Sequence, residues 1–173
     1  MIWIKYIIIT LLFFCFALLQ NSFFPYFNIL GATPNLVFVL FFILIFFEPP
    51  AQPEGFFTAI IAGFFYDIFL PSFFGFSIIA FLVIYFLNKS AMHFLKDSQE
   101  KYRIFYFIPV FSAGFIINNL MLYGFSIIFR FHFNFSPVLL ISLLYSLIFA
   151  CASFYIYRKF NPGVPDNQLK LFK

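Results

Sequence analysis

Apolar residues run almost unbroken along this chain, and the few polar interruptions divide it into six helical segments. The first run, Ile2 to Leu19, carries one charge, Lys5, and ends at Gln20 and Asn21. No small-residue cleavage site follows it, and Phe13-Phe14-Cys15 is too bulky for a lipoprotein cleavage box, so a first membrane span is expected rather than a removed leader. Phe23 to Thr33, with Pro25, Asn28 and Gly31, is too irregular to span and too apolar to float free, which predicts an interfacial segment. Pro34 opens the second run, Asn35 to Phe47, where its missing N–H falls in the first helical turn and costs nothing. At 1.5 Å per residue that run is about 20 Å long, short against a hydrocarbon core of about 30 Å. Glu48 to Glu54 is a stiff, proline-rich polar turn, and Gly55 begins the third run. The fourth, Phe73 to Leu87, follows the turn between Pro71 and Gly75 almost at once and must lie antiparallel to the third. After the charged stretch Asn88 to Arg103 comes a fifth run, Ile104 to Phe129. It is longer than the core at about 39 Å, so its turns up to Pro109 are expected to be kinked or interfacial. Arg130 to Ser136 is a polar turn, Pro137 to Tyr157 is the sixth run, and Arg158 to Lys173 is polar.

The third run carries the only acid buried in an apolar stretch. At 100° per residue, Gly55, Thr58, Ala59, Ala62, Gly63, Tyr66 and Asp67 share one half of a helix, and Phe57, Ile60, Ile61, Phe64, Phe65 and Ile68 the other. In lipid, where helices associate by packing and hydrogen bonding, a small face lets a neighbouring backbone approach closely. Asp67 costs roughly 2.5–3.5 kcal/mol at the membrane centre and less toward the interface, so it needs a partner or a proton. Tyr123 or Arg130 from the fifth segment is the expected partner, because both fall at a comparable depth. Ser112, Ile116, Asn119, Tyr123 and Ser126 form a stripe at helical spacing with Asn118 beside it, and both asparagines are expected to hydrogen-bond between helices.

Composition places the chain in the membrane class. It is 64% hydrophobic and 9% charged, against about 25% charged for soluble domains. The 35 phenylalanines read as interchangeable lipid-facing apolar residues. Residues 1–160 are expected to form a single integral-membrane helical bundle, with a polar cytoplasmic tail over 161–173. The basic residues are scattered between segments rather than gathered in a patch with interleaved aromatics, which argues against nucleic acid. With six spans, nine Lys and Arg fall on one side and Arg130 alone on the other, so both termini are expected in the cytoplasm. Re-entrant second and third runs would leave that orientation unchanged.

Chemistry is hard to assemble from these residues. Cys15 and Cys151 lie far apart without metal or disulfide spacing, and His93 and His132 fall on opposite sides of the membrane. No metalloprotease, nucleophile-elbow or phosphate-loop motif is present, and a lone Asp67 cannot run a two-carboxylate mechanism. The expectation is a protein that is not an enzyme and holds no cofactor or metal.

The order of features resembles the rod shape-determining protein MreD family. The residues that carry the likeness are Leu19-Gln20 after the first span, Gly31-x-x-Pro34-Asn35 before the second, Gly55 and Gly63-x-x-x-Asp67 in the third, then Pro71 and Gly75. Members of that family usually carry Pro-Asp where this chain has Pro34-Asn35. The resemblance implies an all-α, six-transmembrane-helix bundle in the bacterial inner membrane, similar in fold to the substrate-binding component of energy-coupling-factor transporters. It also implies a non-enzymatic scaffold of the elongation machinery that builds the peptidoglycan side wall. The implied partner is the single-pass protein MreC, with the MreB filament, a SEDS-type glycosyltransferase and a class B penicillin-binding protein as further associates. Gly55, Ala59, Ala62, Gly63, Asp67, Asn118 and Asn119 are candidates for partner binding or internal helix packing, and Pro34, Asn35, Pro71 and Gly75 mark turns and span boundaries. Self-association into a homodimer is left open. The alternative is a vitamin-type transporter component. It fits less well, because Ala17 is the only alanine in the first helix, where such proteins carry an Ala-x-x-x-Ala docking surface.

Overall fold

The computed structural model describes residues 2–48, 54–69, 74–94, 103–129 and 138–160. Among them are six α-helices and no strand: α1 (Ile2–Leu18), α2 (Leu36–Phe46), α3 (Glu54–Phe69), α4 (Phe76–Phe94), α5 (Arg103–Phe129) and α6 (Val138–Phe160). Three stretches are long and apolar enough to cross a membrane: Ile4–Phe27, Tyr106–Phe129 and Val138–Phe160. The first exceeds α1 because the helix runs on through a π-turn over Leu19–Phe23 and a 3-10 turn over Phe24–Phe27. The chain then reverses at Leu30 and Gly31, both at positive φ, closed by paired backbone bonds of 3.0 and 2.9 Å between Ile29 and Ala32. Positive φ at both central residues is the two-residue turn whose twist suits a tight reversal.

The centre of the fold is α2. Its 11 residues rise only about 16 Å, and nine of them are buried. A helix that is apolar all round is enclosed by protein or by lipid, and here α1, α3, α4, α5 and α6 all pack against it. Phe38, Phe42 and Phe46 repeat every four residues and so form one edge of it. Phe38 meets Phe81 of α4 and Phe111 and Phe115 of α5 at 5.4–5.9 Å. Phe42 meets Phe107 and Phe111, and Phe46 meets Phe107 and Phe154 of α6. Aromatic pairs of this kind add about 0.5–1.5 kcal/mol each beyond area burial. These rings correct the reading of phenylalanine as lipid-facing filler for part of the set: Phe13, Phe38, Phe41, Phe42, Phe81, Phe107 and Phe111 are the largest side chains completely enclosed by the bundle, whereas Phe14, Phe57, Phe64 and Phe86 are exposed.

One helix boundary also differs from the pattern. α4 runs to Phe94, two turns past Leu87, because Asn88 is buried and donates to the Ile45 carbonyl at the end of α2. α5 is continuous through Pro109, which sits in its second turn. Residues 49–53, 70–73, 95–102 and 130–137, with Pro71 and Arg130, and residues 161–173, expected as a polar tail, lie outside the described residues.

Candidate functional site

α3 is built as the amphipathic pattern predicts. Gly55, Thr58, Ala59, Ala62, Gly63 and Asp67 are buried, and Phe57, Phe64 and Ile68 are exposed. The small face is occupied from within. Gly63 lies so close to α4 that a Cβ there would stand 2.5 Å from the Ile78 Cα and 2.7 Å from its nitrogen. One helical turn farther, the Asp67 carboxylate accepts from the Gly75 N–H at 2.7 Å and from the Ser77 N–H at 3.0 Å.

These two donors belong to the first turn of α4, where backbone N–H groups have no partner inside the helix and the helix dipole favours negative charge. Asp67 therefore caps a neighbouring helix. Gly75, at φ +106°, bends the chain so that its own N–H and that of Ser77 point at the same carboxylate. The geometry corrects the expected pairing with Tyr123: both observed bonds are to the α4 backbone, and Arg130 lies outside the described residues.

A second polar node joins α2, α3 and α6. Asn35, preceded by the buried Pro34, is the N-cap of α2, and its side-chain oxygen accepts from the Phe38 N–H at 3.0 Å. Its amide donates to the Tyr66 hydroxyl at 2.8 Å, and its backbone N–H donates to Ser146 Oγ at 2.8 Å. Gln20 accepts from the Val37 N–H at 3.1 Å, and Ser142 donates to the Thr33 carbonyl at 2.7 Å. The entrance to α2 is thus held by side chains from four segments. The capping oxygen is common to Asn and Asp, whereas donation to Tyr66 requires the amide.

The asparagines of α5 behave differently from expectation. Asn119 is buried but its amide donates to the Phe115 carbonyl of its own helix at 2.8 Å. Ser112 and Ser126 likewise bond to carbonyls of α5, at 2.9 and 2.7 Å. Short polar side chains in an apolar setting turn back on the nearest carbonyl when no other donor or acceptor is in reach. Asn118 is fully buried beside the Tyr66 hydroxyl, yet neither of its amide atoms adopts hydrogen-bonding geometry.

The charges gather at the opposite end. Lys5 of α1 pairs with Glu54 at the start of α3. Glu48 accepts from the Gly55 N–H at 2.6 Å, and its carboxyl is held above its ordinary value of 4.5 chiefly by burial, opposed by that bond and by the nearby Lys89 charge. Lys89 donates to the Tyr85 hydroxyl at 3.1 Å, and the Tyr85 ring occupies the space a side chain at Gly55 would need. Phe47 stacks on Tyr157 at 4.3 Å, which brings the end of α6, with Arg158 and Lys159, to the same level.

Sequence reasoning finds Asp67, Asn35 and Gly63, does not foresee Gln20 and Tyr66 as hydrogen-bond partners, and misses Ser142 and Ser146. The last two stand four apart in an apolar helix, a spacing that signals a common face. Among the described residues no group of three His, Cys, Asp or Glu side chains converges as a metal site. Comparison with models of known families, with curated proteins and with solved structures yields no match to this chain.

Proposed function

We propose that this protein is a non-enzymatic scaffold of the MreD type in the bacterial inner membrane. It crosses the bilayer as a six-helix bundle with both termini in the cytoplasm. The reading rests on the resemblance carried by Pro34-Asn35, Gly55, Gly63-x-x-x-Asp67 and Gly75, and one observation supports it most directly. Apart from Gly55, which packs on Tyr85 at the charged end, those residues form one connected device: a cap on α2 joined through Tyr66 to α3, a close contact between α3 and α4, and a carboxylate clamp on the start of α4. Asp67, buried near the end of α3, has both oxygens engaged by backbone, a role of holding rather than of chemistry. Lys5, Lys89, Arg158 and Lys159 share one end of the bundle, the distribution that the positive-inside rule assigns to the cytoplasm.

The small face of α3 is filled by the chain's own helices, so a single-pass partner of the MreC type docks elsewhere on the outer surface. Through that partner the scaffold would help to position the glycosyltransferase and the transpeptidase of the wall machinery. The test is co-expression with the MreC-type protein of the same cell and purification through this chain. Recovery of the partner at about equal stoichiometry supports the scaffold. A tightly held vitamin-sized molecule in its place would move the assignment to a transporter component.

A further inference from the structure

Between α4 and α5 lies a cavity of about 360 Å³, within the range of about 300–1,000 Å³ typical of small-molecule sites. Ile84, Asn88 and Ala91 line it from one helix, Pro109, Ala113 and Ile117 from the other, and Phe42 of α2 forms part of its wall. Leu87, also in the lining, is 47% exposed and Ala113 is exposed, so the cavity opens toward the lipid-facing side of the two helices. Its lining is apolar except at Asn88. That residue is 5% exposed, and its amide nitrogen makes a long bond of 3.4 Å to the Ile45 carbonyl while its side-chain oxygen has no partner. An unpaired buried acceptor costs about 1–3 kcal/mol, which a ligand carrying a donor would recover.

This acceptor lies toward the charged end of the bundle. Asn88 immediately precedes Lys89, and the other wall residues, Ile84, Ile117 and Phe42, extend away from that end. The axial run from Ile84 to Ala91 is about 10 Å. A buried acceptor without a partner, in an otherwise apolar slot of that length open to the lipid-facing side, suits a segment of a lipid. We infer that the cavity holds one acyl chain of a phospholipid from the leaflet at the charged end, with a headgroup N–H or O–H donating to the Asn88 side-chain oxygen. The inference is independent of the scaffold assignment, since it uses only this cavity and its lining.

The test is photolabelling of the purified protein in nanodiscs that contain phospholipid with a diazirine in its acyl chain. Three headgroups are compared: ethanolamine, glycerol and choline, the last having no hydrogen-bond donor. Label is expected to concentrate on the peptides covering 84–91 and 109–117, with ethanolamine and glycerol lipids both exceeding choline. If ethanolamine alone exceeds choline the donor is the ammonium, and if glycerol alone does so it is the hydroxyl. Ala113→Leu, a change at an exposed position, should reduce labelling of these peptides without loss of fold. Asn88→Leu should lower it about two- to tenfold for the donor-bearing lipids and leave choline lipid unchanged, the effect of one net hydrogen bond. Labelling spread evenly over the exposed faces of α1 and α6 as well would overturn the inference. So would equal labelling by the three headgroups, or a groove closed to lipid because another protein helix occupies it.

Discussion

Gly63→Ala sets two opposing effects against each other, and the structure decides which prevails. Helix propensity alone favours alanine by about 0.8–1.0 kcal/mol. The added methyl, however, would sit 2.5 Å from the Ile78 Cα and 2.7 Å from its nitrogen. Carbon atoms rest at about 3.5–4.0 Å, so α3 and α4 must separate by about 1 Å. The obstruction is backbone, which cannot rotate aside. Overpacking of this kind costs about 1–3 kcal/mol. The same displacement stretches the Asp67 bonds to Gly75 and Ser77, now 2.7 and 3.0 Å, beyond hydrogen-bonding range, and bonds to a charged group contribute about 1.5–3 kcal/mol each.

Allowing for partial relaxation, a net loss of about 2–4 kcal/mol is expected from these contributions. The assay is thermal unfolding of the detergent-solubilised protein, followed by loss of its monodisperse elution peak after heating. Gly124→Ala is the control, since a Cβ at Gly124 meets nothing within 4 Å and propensity should act alone. Gly63→Ala is expected to melt well below the wild type and Gly124→Ala at or slightly above it. A Gly63→Ala protein as stable as wild type would show that α3 and α4 are not in this contact.

Three further outcomes follow from the polar nodes. Asp67→Asn retains one acceptor oxygen where two backbone donors converge, so it should cost about 1–2 kcal/mol and speed amide hydrogen exchange at Gly75 and Ser77, with slower effects elsewhere in α4. Asn35→Ala removes both the cap on Phe38 and the bond to Tyr66 and should cost about 2–3 kcal/mol. Tyr66→Phe should cost less, and the double variant less than the sum, because the two share one bond; strict additivity would refute the Asn35–Tyr66 contact. Burial raises the Glu48 carboxyl, so the folded state binds a proton more readily than the unfolded one. Its contribution to stability is present below pH 4.5 and falls away as pH rises through the raised value. Glu48→Gln, which can still accept from Gly55, should flatten that decline in a pH series of melting curves.

On the proposed MreD-type reading, the buried Asn35 stands where Pro-Asp would be expected, and the structure gives that difference a physical meaning. Either side chain caps α2, so the helix start is preserved without the charge. The amide adds a donor, and Tyr66 of α3 receives it. The link between α2 and α3 is thereby a side-chain hydrogen bond that a carboxylate at position 35 could not donate.

The membrane class, the small face of α3 and the need of Asp67 for a partner were all legible in the residues. Each follows from local chemistry: charged residues too few for a soluble surface, a helical period, and an acid that lipid will not solvate. Tyr123 as its partner was not correct, because depth along two helices says nothing about which helices touch. The donors that hold Asp67 are backbone groups of α4, invisible in side-chain identity and supplied by the unsatisfied first turn of any helix. Nor could the pattern distinguish α2 as the enclosed helix or the phenylalanines of α2, α4 and α5 as its packing partners. In water a core residue and a surface residue differ in polarity, but lipid tails are as apolar as a protein interior. For a chain in lipid, apolar sequence therefore says that a residue avoids water, and only the tertiary contacts decide whether it meets a lipid or another helix.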